Sequence, residues 1–600
     1  MTSKIKPFSI TLLLPIVSLL SLASFVCASD EKDTKQIKPL EIGQAMPEFE
    51  LKGFDGKPWK SNELKAKTVA VVFVGVECPL VKLYAPRLSS LQSELSAKFQ
   101  VVAINSNRQD SITEMKEFAA KHNVDFPILK DPASRVADKF GAQRTPQVFL
   151  FGPDRKLVYT GAIDDQYTYG RQKNKVEKQF LKDAVLATID DKAPAVATTK
   201  PDGCIIGRVL KASESSKVTY ANQISRIFNS HCVSCHRAGE VAPFAMTDYE
   251  EVVGWAEMIN EVVAERRMPP WHANPQHGKF KNDISLSSKQ RELIRTWVEN
   301  GAPLGDKKDL PDPPEFVEGW GIGKPDLIVP MAKKPYKVAA TGVLEYEHFL
   351  VDPGFKEDKW ITAAECRIGN RAVVHHIIVA ADGRRRKRSK HESIQSEWIT
   401  ATAPGAPPMI LPEGYAKFVP AGSKLVFQLH YTPNGTPQTD LSSVGFKFAD
   451  PKTIRKIVAT HEIRTRRFAI PPGAPNHEVK KSMTVPKDVL VLSLFPHMHV
   501  RGKSFRYTAT YPDGKKEILL DVPNYDFNWQ NAYELPEPKL IKKGTKIECV
   551  AHYDNSKENF ANPNPNKTVR WGDQTFEEMM IGYVNVALAD QDLTRDRQKK

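Results

Sequence analysis

The hydrophobic period of this chain changes twice, and each change excludes one fold class for the whole. Between about residues 40 and 190, apolar runs such as TVAVVFVGV (68–76) alternate with helical patterns such as SSLQSELSAKF and SITEMKEFAAKHN. That alternation predicts an α/β layer with a mixed sheet. TPQVFLFGPDRKLVYTG adds an antiparallel hairpin turning at Gly152, Pro153 and Asp154. Residues 217–306 read mostly as helix and close on SSKQRELIRTWVENGAP, where Ser287 or Ser288 caps the last helix and Gly301 stops it. From 326 to about 590 the pattern becomes short alternating strands between Pro, Gly and Asn turns, long enough for two all-β sandwiches. The expected organisation is multidomain: an α/β domain at 39–190, a linker at 191–216, an all-α domain at 217–306, a linker at 307–325, and two β-sandwiches at 326–460 and 461–592.

The first 29 residues carry Lys4 and Lys6, a long apolar stretch and small residues, with a cleavage site after Ala28 or Ser29. They read as a secretory signal, although the apolar stretch is also long enough for an anchor. No later segment is apolar enough to span a bilayer, so the expected location is across the inner membrane, in the periplasm or outside the cell. Cleavage removes Cys27 and leaves Cys78, Cys204, Cys232, Cys235, Cys366 and Cys549 in an oxidising compartment. The formal charge of +14 would suit an anionic partner, but the lysines are scattered. The dense run RRRKR (384–388) reads as a solvated hairpin loop, with a nucleic-acid or membrane contact as its rival. No nucleic-acid partner is expected.

The central segment contains HCVSCHRAGE, with Cys232, Cys235 and His236 in the C-x-x-C-H pattern of covalent haem c attachment. A redox disulfide or half a zinc site is the alternative, but no second cysteine pair lies nearby. Together with its closing helix the segment resembles small class I-like cytochrome c domains. By position in that family Met268, in RRMPPWH, is the second axial ligand; His272 and His277 are rivals, and methionine often only fills a core.

Residues 39–190 resemble the thioredoxin-like redoxins. Cys78 follows the first long strand and opens a helix, a position that lowers thiol pKa. Thr145-Pro146 sits where such folds place a cis-proline loop facing the cysteine. The chain departs from the family in Cys78-Pro79-Leu80-Val81, which lacks the second cysteine of C-x-x-C. The peroxiredoxin spacing fails at Val71 and Gly75, and the copper-chaperone spacing fails at Lys82. Cys204 is the remaining partner for Cys78, either in a working dithiol or in a structural staple.

In the β-rich half, VVHHIIVA places His375 and His376 side by side, KLVFQLHY supplies His430, SLFPHMHV supplies His497 and His499, and TFEEMMIGYV supplies Met579. A His-x-His pair on a strand shares one face, whereas adjacent strand residues point apart. A lone strand histidine more often satisfies a core hydrogen bond, but these clusters recur in a histidine-poor chain. Their order over residues 326–590 resembles the copper type II, ascorbate-dependent monooxygenases, the peptidylglycine alpha-hydroxylating and dopamine beta-hydroxylating family.

That resemblance implies a double jelly-roll fold and two coppers per chain, one on His375, His376 and His430 and a catalytic one on His497, His499 and Met579, with Met580 as rival. His375 and His376 can reach one ion only if the strand bulges. A thioether beside imidazoles suits copper better than zinc. The family's cysteine after its ligand methionine is replaced here by Met580, which leaves Cys366 as the one partner for Cys549. The implied chemistry is oxygen insertion into a C–H bond of an unidentified organic substrate, with ascorbate, the tethered haem or an external donor supplying electrons. The alternative is a haem/copper electron-transfer or thiol-redox module without oxygenase activity.

Overall fold

The computed structural model describes residues 38–598 apart from 174, 317–318, 341–343, 383–397, 403–406 and 435. The signal segment and the RRRKR run lie outside the described residues.

Seven strands form the first sheet, in the order Pro58–Lys60, Glu50–Gly53, Ile128–Lys130, Phe99–Asn105, Thr68–Phe73, Gln147–Phe151, Leu157–Gly161. The three central strands from 128, 99 and 68 are parallel to one another, and the flanking pairs are antiparallel. The run at 68–73 is unbroken because the sheet is covered on both faces. Ala70 and Val72 join one apolar core while Val69, Val71 and Phe73 join the other. Helix Pro79–Leu95 covers one face, and helix Ile112–Lys121 starts in a capping box between Ser111 and Glu114.

Part of residues 191–216, expected as a linker, is bound to this domain, and its end reaches the helical segment through the Ser213 N–H to the Asn300 carbonyl. Thr198 bridges Thr160, and Cys204–Ile205 pairs antiparallel with Arg144–Thr145. The helical segment follows, its core built on Phe228, Trp255, Ile294 and Trp297 between helices Ser225–His231, Ala256–Ala264 and Ser288–Glu299. Ser287 is the cap of the last helix, in a capping box with Gln290, and Gly301 follows with φ +77°.

Beyond residue 326 the described residues form four main sheets, antiparallel but for one short parallel pairing, in two pairs. In the first pair, the sheet built on Lys359–Arg367 and Ser443–Phe448 faces one ordered Glu347–Val351, Lys424–Tyr431, Val374–Asp382, Trp398–Thr402, and both contribute to one core. In the second, Ala459–Arg464, Ile581–Leu588, Val489–His497 and Tyr533–Ile541 face His477–Thr484, Lys546–Tyr553, Gly502–Thr510 and Lys516–Val522 around another. Trp360, Phe418, Ile457, Ala459 and Leu593 seal the joint between the pairs.

The expected Cys366–Cys549 disulfide does not form. Both thiols are free, and each packs in the core of a different sheet pair, Cys366 in the first and Cys549 in the second. No disulfide is present among the described cysteines. No helix among the described residues is long and apolar enough to cross a membrane.

Candidate functional site

Strands Val374–Asp382 and Lys424–Tyr431 pair with Val374 opposite Tyr431 and His376 opposite His430, and the register slips between Val374 and His376. The extra residue is His375. A bulge rotates it toward the face that a regular strand would deny it. As a result one ring nitrogen from each of His375, His376 and His430 lies within 4.8 Å of the others. Among the described residues this is the one such group of three or more His, Cys, Asp or Glu side chains; Cys232, Cys235 and His236 do not form one.

Two of the three imidazoles keep a nitrogen without a partner, while His375 Nδ1 and His376 Nδ1 lie 3.4 Å apart. His375 Nε2 and His430 Nδ1 are buried without a hydrogen bond. Burial lowers the His375 pKa to about 4 against the opposing effects of Asn528 and Asp526. Burial, followed by the neighbouring histidines, pushes His376 and His430 well below the ordinary value. Neutral imidazoles with free lone pairs aimed at a common point are a metal-binding arrangement, and an unpaired buried nitrogen would otherwise only cost stability.

The second set is built differently. His497 ends strand Val489–His497, and its Nδ1 meets Gln530 Oε1 at 2.6 Å. His499 donates its backbone N–H to Glu578 (2.8 Å), its Nδ1 lies 3.3 Å from the Glu577 carbonyl, and its Nε2 has no partner. Burial holds these two at about 4 and about 3. In each ring a fixed Nδ1 leaves Nε2 as the free donor. Met579 and His497 line the same cavity, whereas Met580 is fully buried in the second core.

Two aromatic residues join the sets, and no motif announced either. Tyr346 lies 5.3 Å from the His376 ring, 4.9 Å from His430 and 6.4 Å from His499, its hydroxyl buried without a partner. Phe527 stacks on His375 at 5.3 Å and touches His430 and His499. Beside them opens a cavity of about 800 Å³ lined from both sheet pairs, including His376, His497, Met579, Trp398, Phe495 and Tyr583.

In the helical segment Cys232 and Cys235 follow helix Ser225–His231. His236 Nδ1 meets the Phe244 carbonyl at 3.1 Å, and Phe244 stacks on Trp255 at 4.2 Å. Met268 donates its N–H to Val262 after helix Ala256–Ala264. The loop it opens docks on the second sheet pair. Asn531 donates to the Pro270 carbonyl (2.7 Å), Asn274 bonds Asp521, and Trp271 packs on Tyr533. His272 Nε2 is another buried nitrogen without a partner, while His277 is held by its N–H to the Asn274 carbonyl.

In the N-terminal domain Cys78 is fully buried at the start of helix Pro79–Leu95, with its Sγ 2.9 Å from the Thr145 carbonyl beside the cis Thr145-Pro146 bond. Burial would raise its pKa, but hydrogen bonds from the Cys204 thiol and backbone and from the Val81 backbone bring it down to about 6. The same hydrogen bond to Cys78, then burial, drives Cys204 well above the ordinary value. The sequence-predicted partners are therefore together, as free thiols.

Residues 42–160 match the AhpC/TSA family. The N-terminal domain is a thioredoxin-like redoxin domain. Over 150 residues the chain is 25% identical to the thiol-disulfide oxidoreductase ResA of Bacillus thuringiensis subsp. konkukian (strain 97-27), covering 25% of this chain and 81% of that protein. It is 28% identical over 142 residues to the thioredoxin-like protein YneN of Bacillus subtilis (strain 168), covering 24% and 79%. Among solved structures, an uncharacterized conserved protein from Geobacillus kaustophilus aligns with a TM-score of 0.26 at 29% identity, over 30% of this chain and 95% of that one.

Proposed function

We propose that this chain is an exported, copper-dependent monooxygenase that hydroxylates a C–H bond of an organic substrate and carries its own haem c donor. The observation that carries the reading is the bulged trio of His375, His376 and His430, three neutral imidazoles whose ring nitrogens converge on one point, with His375 Nε2 and His430 Nδ1 left unpaired. These residues would hold one copper; His497, His499 and Met579 would hold the other. Copper at these sites supplies one-electron chemistry and activation of oxygen. In this reading the two sheet pairs are the two jelly-roll halves of the copper type II, ascorbate-dependent monooxygenases.

The chain's own residues do the positioning. Gln530 and the Glu577 carbonyl fix the Nδ1 side of His497 and His499, so both rings present Nε2. Trp398, Phe495 and Tyr583 give the cavity an apolar wall that can hold a carbon skeleton and exclude water. Cys232 and Cys235 would attach the haem, and His236 and Met268 would ligate its iron. The loop after Met268 is bonded to Asn531, next to Gln530, so the segment that would hold the donor is tied to the residues that orient His497. Ascorbate or an external donor would serve the same end.

The test is metal analysis and electron paramagnetic resonance of the copper-loaded full chain, then anaerobic reduction and exposure to oxygen with candidate substrates. Two coppers, one covalent haem and a product heavier by one oxygen atom are expected. One zinc per chain would overturn the assignment. A second reading, a thiol-redox module without oxygenase activity, is favoured by the family match over residues 42–160 and by the Cys78–Cys204 contact. Copper that binds without oxygen transfer would leave that reading standing.

A further inference from the structure

The short strand that brings Cys204 to Cys78 forms a two-stranded ladder with Arg144–Thr145, beside the cis-proline bond. Cys204 pairs with Thr145 and Ile205 with Arg144. Gly203 makes the approach possible: its φ is +140°, and a Cβ there would fall 2.1 Å from the Thr145 carbonyl oxygen. Arg144 and the Tyr169 hydroxyl both donate to the Gly203 carbonyl, at 2.8 and 2.7 Å, and the Gly207 N–H donates to Asn107 at 3.0 Å. Cys204 is thus clamped on both sides. It keeps part of its surface exposed, whereas Cys78 keeps none.

We propose that Cys78 and Cys204 are a working thiol–disulfide pair with inverted access, in which an external thiol reacts at the sulfur of Cys204 and Cys78 is the leaving group. The inference does not depend on the copper reading. With the pair oxidised, one thiolate of an external small or peptide dithiol attacks Cys204 Sγ. The sulfur–sulfur bond breaks and its electron pair passes to Cys78 Sγ. The second thiol of the dithiol then displaces Cys204 from the mixed disulfide. Two electrons pass from the dithiol, which becomes a disulfide, to the pair. Of the dithiol's two protons one ends on Cys204 and the other goes to water, because Cys78 departs as a thiolate. Exchange is faster when the leaving sulfur has the lower pKa, and the hydrogen bonds gathered on Cys78 provide that. Of the two residues Cys78 is fully buried and Cys204 half-buried, so approach from outside is to Cys204.

The experiment uses the full chain. Treatment with oxidised glutathione should yield a Cys78–Cys204 cross-linked peptide by mass spectrometry, and dithiothreitol should release it without denaturant. Oxidised wild-type chain mixed with reduced glutathione and quenched in acid should carry the adduct on Cys204, at least about tenfold over Cys78, the ratio expected when one sulfur is accessible and the other is the better leaving group. Cys78→Ser should accept glutathione at Cys204, and Cys204→Ser should leave Cys78 unmodified, with circular dichroism reporting whether each folds. The wild-type quench keeps the proposal falsifiable if neither does. A cross-link that resists dithiothreitol until the chain is denatured would make it a structural staple and overturn the working pair. An adduct on Cys78 would overturn the inverted access, and absence of the cross-link would overturn both.

Discussion

Cys78 of the redoxin domain and the histidine trio of the C-terminal half both lie largely out of water, yet their surroundings answer burial in opposite ways. Around Cys78, hydrogen bonds from Cys204 and Val81 outweigh desolvation and favour a buried thiolate at a pKa of about 6. Around His375 desolvation outweighs Asn528 and Asp526, at His430 the neighbouring histidines add to it, one nitrogen of each ring stays unpaired, and the neutral form persists. One site is furnished to stabilise a negative charge it generates itself; the other withholds partners so that its lone pairs remain for a cation. Burial alone therefore does not tell a redox thiol from a metal ligand. The count of donors around the group does.

The largest test of that contrast is to remove a lone pair from the trio. His430→Ala should weaken copper binding at that site by at least about 100-fold, more than loss of an outer partner would cost, while leaving copper at the His497, His499 site; competition titration of the full chain would read this. Equal loss at both sites would break the division into two sets.

The thiolate side is tested by pH. The folded Cys78 pKa lies below its unfolded value, so between about 6 and about 9 the unfolded chain binds more protons than the folded one. The reduced redoxin domain should gain stability as pH rises through that window and lose it as pH falls through about 6. Cys78→Ser should flatten the slope in urea unfolding, and thiolate absorbance near neutral pH should vanish with it. An unchanged slope would mean that the hydrogen bonds do not outweigh burial.

A smaller effect follows at the second set, where a partner does hold each ring. Gln530→Ala should free His497 Nδ1 and lower copper affinity there by about tenfold, as outer-partner losses do, with the trio unaffected. The smallest concerns Tyr346, whose hydroxyl is unpaired. Tyr346→Phe should leave thermal stability unchanged or raise it by up to about 1 kcal/mol, since an orphaned buried hydroxyl is removed. Tyr346→Ala should cost about 3 kcal/mol through the cavity it leaves. A large loss in the phenylalanine variant would show that the hydroxyl has a partner when metal is bound.

Much of this was legible in the linear pattern. The continuous run at 68–73 reads as a doubly covered strand because alternate residues feed two cores, and the capping boxes at Ser111 and Ser287 mark helix starts through local side-chain chemistry. His375 and His376 are visible as a pair, but a period of two sends them to opposite faces, and only the slipped register reconciles them. The Cys366–Cys549 pairing failed for a related reason: elimination among cysteines says nothing about which core each strand faces. Tyr346, Phe527 and Gln530 carried no signal, because their spacing from the histidines exists only after the two sheet pairs have met.

By itself the sequence determined the order of the domains, the identity of the donor side chains and the absence of a C-x-x-C partner for Cys78, since all of these are written in composition and short-range period. Tertiary structure alone decided that Cys204–Ile205 pair with Arg144–Thr145 on the redoxin domain, that Cys204 reaches Cys78 from that strand, that histidines of both sets leave a nitrogen unpaired, and that His376 and His497 line one cavity. Each of those facts depends on contacts between residues far apart in the chain, where register, burial and hydrogen-bond partners are set by packing and not by local propensity.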